Sequence, residues 1–168
     1  DGYALGEDGL CHLSTTGSDS GTPPAETIPE GQADPFEITA VVSEHVRTVV
    51  TVSWKTEGAA TGYVEFGEGS DYGRLTPLTT SGTSHSVNLL GLWADTEFHF
   101  RVVSVGEDGT EWVSADKTIT TGSLPPEIPT MSFTGEPTWE GFIFAPFQGI
   151  NYLAAALDPQ GRVVWYKV

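Results

Sequence analysis

The sequence predicts an all-β protein, with a β-sandwich over residues 36–123, an acidic disordered tail before it and the opening strands of a second sheet after it. Three observations carry this expectation. Between Phe36 and Thr121, apolar and polar residues alternate in short runs, punctuated by turn residues about every ten positions. No segment shows a convincing 3.6-residue apolar period. Gly 20 and Pro 11 among 168 residues mark a loop-rich, strand-based chain.

Residues 1–35 contain Asp1, Glu7, Asp8, Asp19, Glu26, Glu30 and Asp34, with no Lys or Arg. The run from Ser14 to Pro24 is polar and rich in Gly and Pro. It holds too little apolar surface to repay the entropy of ordering it. A flexible, self-repelling linker is expected, acting as a solvated spacer or as a tether to a membrane, wall or preceding module. Cys11 stands beside His12, but a zinc site needs several ligands at repeated spacings and a thiol nucleophile needs an oriented base. Neither is identifiable, which leaves Cys11 at most a pairing partner for a cysteine elsewhere. The chain opens at Asp1 without the basic and apolar run of a signal peptide, and it closes on a strand-like Val163–Val168. It is expected to be a fragment.

In the sandwich, Phe36–Val41 alternates as a first strand, and Val50, Val52 and Trp54 share one face of a second. Gly58–Gly62 is expected to form a loop before a third strand bearing Tyr63, Val64 and Phe66. Strands at Leu75–Thr80 and Ser86–Leu90 follow. The strongest strand is Glu97–Val105, with Phe98, Phe100, Val102 and Ser104 inward and His99 and Arg101 outward. Glu107-Asp108-Gly109 is a hairpin turn, and Trp112–Thr121 is the closing strand.

Residues 124–130 open with Leu124-Pro125-Pro126-Glu127-Ile128-Pro129 and cannot continue a ladder, because proline lacks the N–H donor. They read as a semi-rigid linker. In 131–168, strands are expected at Gly141–Ala145, Asn151–Leu157 and Arg162–Tyr166, the last two joined by a type I turn at Asp158-Pro159-Gln160-Gly161. So short a piece must lean on the sandwich or belong to a larger sheet domain, since an isolated hairpin is marginal in water.

With Lys+Arg 7 against Asp+Glu 23, the net charge is −16, which disfavours nucleic acid as a partner. The longest apolar runs are far too short to span a bilayer. One Cys cannot build an internal disulfide framework. His85 and His99 each stand alone on an alternating strand, so the ligand reading yields to that of ordinary strand histidines. Trp93 and Trp112 are either an exposed platform for a sugar or packing residues at the sandwich end or against the next domain; packing is the expectation. Arg162 is expected to be a solvated residue beside its turn.

Three resemblances follow. Val52-Ser53-Trp54-Lys55-Thr56, Tyr63-Val64-Glu65-Phe66-Gly67 and Leu89–Val102 resemble a fibronectin type III domain, with Phe98 where that family commonly has Tyr. The corner hydrogen bond of that Tyr is then absent, and the corner is expected to rely on packing. Tyr63-Val64-Glu65-Phe66 with Ser84–Leu89 also resembles the sandwich ahead of purple acid phosphatase and other secreted hydrolytic domains. Leu157–Trp165 is similar to the strand pair of a β-propeller blade, and with the preceding sandwich it resembles the start of an arylsulfotransferase-family propeller. The fold class expected is therefore a fibronectin type III-like sandwich with a C-terminal β-hairpin fragment of a propeller.

That last resemblance implies an extracytoplasmic enzyme, periplasmic, cell-surface or secreted, moving a sulfuryl group from an aryl sulfate to a phenol through a transiently sulfated histidine. No catalytic, cofactor-binding or metal residue is assignable within these 168 residues. No cofactor is expected. The expected partners are the remainder of the propeller and, through the sandwich, a glycan or a protein. The alternatives are a non-enzymatic adhesion or carbohydrate-binding protein and the N-terminal domain of a phosphatase-like hydrolase.

Overall fold

The computed structural model describes residues 3–5, 11–13, 26–27, 36–128, 140–147 and 153–167. These contain strands and no helix. Most of residues 1–35, including the Ser14–Pro24 run, lies outside the described residues, as do all of residues 129–139. Within the first segment β1 (Tyr3–Leu5) pairs antiparallel with β2 (Cys11–Leu13). There β3 (Glu26–Thr27) also joins the main sheet. Three short strands thus fall where composition alone predicts none.

The main sheet is built around one long strand. β4 (Ile38–Val42) pairs with the first part of β5 (Val50–Gly67), in register Ile38↔Trp54 to Val42↔Val50. On its other side the same part pairs with β7 (Gly82–Leu89). The second part of β5 pairs instead with β6 (Arg74–Leu75) and with β8 (Glu97–Gly106). One strand therefore belongs to both halves, and the sheet curls so that the halves share a core. The expected loop at Gly58–Gly62 is corrected: extended geometry runs through it, and only the ladder to β7 is interrupted, between Lys55 and Ala60. The small residues Gly58, Ala59 and Ala60 let the chain cross without side-chain bulk.

Alternation decides the core. Val50, Val52 and Trp54 from one half meet Val64, Phe66, Phe98, Phe100 and Val102 from the other, with Leu89 and Leu92 alongside. Ser104, at the end of the same inward row, is fully buried and donates to the Thr61 carbonyl at 3.2 Å. His99 and Arg101 face outward, as period-2 geometry requires.

Two strands are shorter than their patterns suggest. The Leu75–Thr80 expectation is corrected to Arg74–Leu75. Pro77 has no N–H to give, and past Leu75 the contact with β5 is kept by Thr76 and Thr79, whose amides donate to the Val64 and Gly62 carbonyls while their hydroxyls accept the returning N–H groups. Val64 N–H donates to Thr76 Oγ1 and Gly62 N–H to Thr79 Oγ1, both at 3.0 Å. The closing strand is divided into β9 (Glu111–Val113) and β10 (Lys117–Thr120), both paired with β8. One extra residue between the two ladders makes a bulge, which Ser114 bridges by accepting the Val102 N–H at 2.9 Å.

The corner before β8 does not rely on packing alone, which corrects the sequence expectation. Phe98 is fully buried with Trp93 edge-on to it at 5.1 Å. In addition the Thr121 hydroxyl donates to the Trp93 carbonyl at 2.6 Å and accepts the Thr96 N–H at 3.1 Å. Thr121, on the neighbouring segment, thus supplies a polar tie at this corner.

A separate three-stranded antiparallel sheet follows, with β12 (Leu153–Leu157) between β11 (Ile143–Phe147) and β13 (Val163–Lys167). The β12–β13 turn forms at the predicted residues. Gly161 N–H closes it onto the Asp158 carbonyl at 2.9 Å, and Gly161 takes φ 79°, a left-handed geometry that favours glycine. Asp158 is buried and its carboxylate is well used, accepting Gln160 N–H, Arg162 N–H and the Arg162 Nε.

Candidate functional site

The densest arrangement of aromatic and charged groups lies where the two sheets meet. The loop between β4 and β5 presents Arg47 and Thr48. Arg47 N–H donates to the Tyr166 hydroxyl at 2.9 Å, and the Thr48 hydroxyl donates to the Val164 carbonyl at 2.9 Å. Between these polar ties sits a second apolar core. Val46 and Leu124 pack on it from the main-sheet side, Ile128 from the proline-rich segment, and Ala155, Leu157, Val163 and Tyr166 from the terminal sheet. Over its described residues the proline-rich segment packs on this core: Ile128 is buried, and its N–H closes a turn onto the Pro125 carbonyl at 3.0 Å.

Trp93 is the hinge of this junction. The Arg162 guanidinium lies 3.5 Å from the centre of its indole. Arg74 approaches the Trp93, Phe66 and Phe98 rings from 4.9 to 5.6 Å, and donates from Nη1 to the Gly91 carbonyl at 2.8 Å. Burial holds the Arg74 pKa below its ordinary value, with nearby Arg162 adding to the effect and Glu68 and Asp158 opposing it. Each guanidinium is tolerated because an aromatic face and a carbonyl or carboxylate replace part of its water. Arg162 keeps the partial solvation expected from sequence, its side chain 40 % exposed, and is in addition held by Asp158 and by the Trp93 ring.

A second polar group lies on the outer face of β8. Asp116, in the bulge before β10, accepts from His99 Nδ1 at 2.7 Å and from the Tyr72 hydroxyl at 3.0 Å. The Arg101 guanidinium covers the Tyr72 ring at 4.9 Å and pairs with Glu65. Burial and the Asp116 carboxylate push the Tyr72 pKa up to about 12. The carboxylate fixes one ring nitrogen of His99 and at the same time takes the Tyr72 hydroxyl. Such an arrangement clasps the β5–β6 connection to the sheet.

At the far end of the main sheet is a cleft of about 310 Å³ lined by Phe36, Thr56, Glu57, Gly58, Ala59, Ala60, Gly106 and Trp112. Trp112 is 39 % exposed, and its indole lies across Gly106, where a methyl group would come within 3.0 and 3.1 Å of two ring carbons. Trp93 packs on Phe98 while Trp112 covers Gly106, eight residues further along β8, or about 26 Å at 3.3 Å per residue. The two tryptophans do not form one platform.

Of the remaining sequence candidates, the side chains of Cys11 and His12 lie outside the described residues. His85 is 5 % exposed and stacks on Trp54 at 4.9 Å, with Nδ1 bonded to Thr79 Oγ1 at 3.0 Å. Its Nε2 and the Trp54 Nε1 are buried without a protein partner. Burial holds the His85 pKa below its ordinary 6.5. Among the described residues, no group of three or more His, Cys, Asp or Glu could hold a metal ion, and no helix is long and apolar enough to cross a membrane. Sequence reasoning passed over Arg74, Asp116, Thr121, Thr48 and Tyr166; only the buried acid Asp158, just before a Pro-x-Gly turn, carried a local signal. No protein-family model and no curated protein sequence matches the chain.

Proposed function

We propose that residues 36–123 are a fibronectin type III-like module whose work is mechanical: it seats and orients the sheet that follows it. One observation carries the reading. The second apolar core is assembled from both sides, and its edges are tied by Arg47 to Tyr166 and by Thr48 to Val164. Three strands alone would leave Ala155, Leu157, Val163 and Tyr166 against water. The strand arrangement, with β4, early β5 and β7 facing β6, late β5, β8, β9 and β10, supports the fibronectin-like assignment.

On this reading the Asp158–Gly161 turn and β13 open a propeller of the arylsulfotransferase kind in an extracytoplasmic enzyme, and sulfuryl transfer is the work of residues outside these 168. Two measurements separate the parts of the proposal. Hydrogen exchange should show the β12–β13 amides losing protection in a Tyr166→Phe, Thr48→Val double variant while those of β8 keep theirs; unchanged protection overturns the seating role. The polypeptide that carries this chain should transfer sulfate from 4-nitrophenyl sulfate to phenol; failure to do so removes the enzymatic assignment and leaves the mechanical one standing.

A further inference from the structure

The Trp112 cleft takes no part in the junction, and its lining is chemically one-sided. The 39 % exposed Trp112 indole and the mostly buried Phe36, 8 % exposed, supply apolar walls, Gly58, Ala59 and Ala60 add little side-chain bulk, and Glu57 contributes the only charge among the described lining residues. The Thr56 hydroxyl is already donating to the Gly58 carbonyl at 2.8 Å. A polyol entering here would find few free hydrogen-bonding side chains, and burying its hydroxyls unpaired would be costly. An anion would meet Glu57 and the acids around it.

Those acids are concentrated at this end. The bend of β5 carries Glu57 and the β8–β9 turn carries Glu107 and Asp108, whereas Glu111 lies on the opposite face of β9 from Trp112, toward Tyr63. Lys55 is the one Lys or Arg in residues 54–62 and 104–113. Ala60 pairs with Gly106, so the bend and the turn are brought side by side. An aromatic face attracts a cation through its quadrupole, and a nearby carboxylate adds Coulombic attraction without demanding hydrogen-bond geometry.

We propose that this cleft binds an organic cation, a quaternary ammonium headgroup with its methyl groups against Trp112 and Phe36 and its charge toward Glu57. The cleft volume of about 310 Å³ admits such a headgroup with a short chain attached. The long-range field of a chain of net charge −16 favours the encounter and disfavours anions of the same shape.

The test titrates the intact chain with choline, following tryptophan fluorescence and calorimetric heat, beside 3,3-dimethyl-1-butanol, the uncharged analogue of the same shape. Choline should bind saturably and about tenfold or more tighter than the neutral alcohol. Trp112→Leu should weaken choline about tenfold, Trp112→Phe should retain part of the affinity, and Glu57→Gln should weaken choline while leaving the alcohol unaffected. Far-UV circular dichroism establishes that each variant is folded. Equal binding of the alcohol would show an apolar notch without cation selectivity and overturn the proposal. So would binding indifferent to Trp112 and Glu57, or no saturable choline binding by the unsubstituted protein up to about 50 mM.

Discussion

Arg162 lies in the β12–β13 turn and Trp93 in the loop before β8, and the guanidinium carbon of one sits 3.5 Å from the ring centre of the other. Asp158 holds the opposite side of that guanidinium at 2.7 Å from Nε. The pair thus locks the terminal turn to the corner before β8. A double-mutant cycle of Trp93→Leu and Arg162→Met should give a coupling of about 1 kcal/mol, since the arginine keeps some exposure to water. Strict additivity in thermal or urea unfolding would mean the contact contributes nothing.

Tyr166→Phe removes the acceptor for the Arg47 N–H and little else, because the ring stays in the second core. Leaving that amide short of a partner should cost about 1–2 kcal/mol. Chemical denaturation is the direct measurement.

Thr121→Val preserves shape at the corner but deletes both the bond to the Trp93 carbonyl and the acceptor for Thr96 N–H. A loss of about 1–3 kcal/mol is expected, because Thr121 is buried and its two partners are left short. A cost below a few tenths of a kcal/mol would return the corner to packing alone.

His85 makes stability depend on mild acid. Its folded pKa is held below the ordinary 6.5 by burial, so between those values the unfolded chain binds the extra proton. Stability from this group is full above about pH 6.5 and is lost as pH falls toward the folded value, with a slope of at most about 1.4 kcal/mol per pH unit. Replacing His85 with Phe, which can still stack on Trp54, should flatten that part of the stability–pH curve even if overall stability changes.

Tyr72 should be the late-titrating phenol, ionising near pH about 12, where burial and Asp116 place it. In Asp116→Asn the negative charge is gone, and the Tyr72 ring carbon resonances should titrate at lower pH. A titration curve unmoved by that change would mean that the hydroxyl does not face Asp116 in solution.

The strands whose inward rows alternate strictly were legible from the residues themselves. Phe98, Phe100, Val102 and Ser104 follow one another at every second position, and a half-buried strand leaves no other way to hide them. Val50, Val52 and Trp54 are legible for the same reason. The β12–β13 turn was also local information, since Pro159 and Gly161 restrict the backbone wherever they stand.

What failed were inferences about partners. Gly58–Gly62 has the composition of a loop, yet pairing of Ala60 with both Gly82 and Gly106 keeps it extended. Leu75–Thr80 has the look of a strand, yet Thr76 and Thr79 satisfy β5 with hydroxyls around Pro77. Arg162 is partly solvated as its turn suggests, but its contact with Trp93, distant in sequence, has no local signal. None of the junction residues is adjacent in sequence to its partner: Arg47 and Tyr166 lie 119 positions apart.

The sequence by itself determined that this chain is all-β, which side of each strong strand faces inward, and where the terminal turn falls. These are properties of short stretches, governed by side-chain alternation and by the backbone limits of proline and glycine. Tertiary structure alone decided that β5 serves two halves of one curled sheet, that threonine hydroxyls tie β5 and the corner before β8, and that the terminal sheet shares a core with what precedes it. Those outcomes rest on contacts whose energy exists only after distant segments have met, and a one-dimensional pattern does not record which segment meets which.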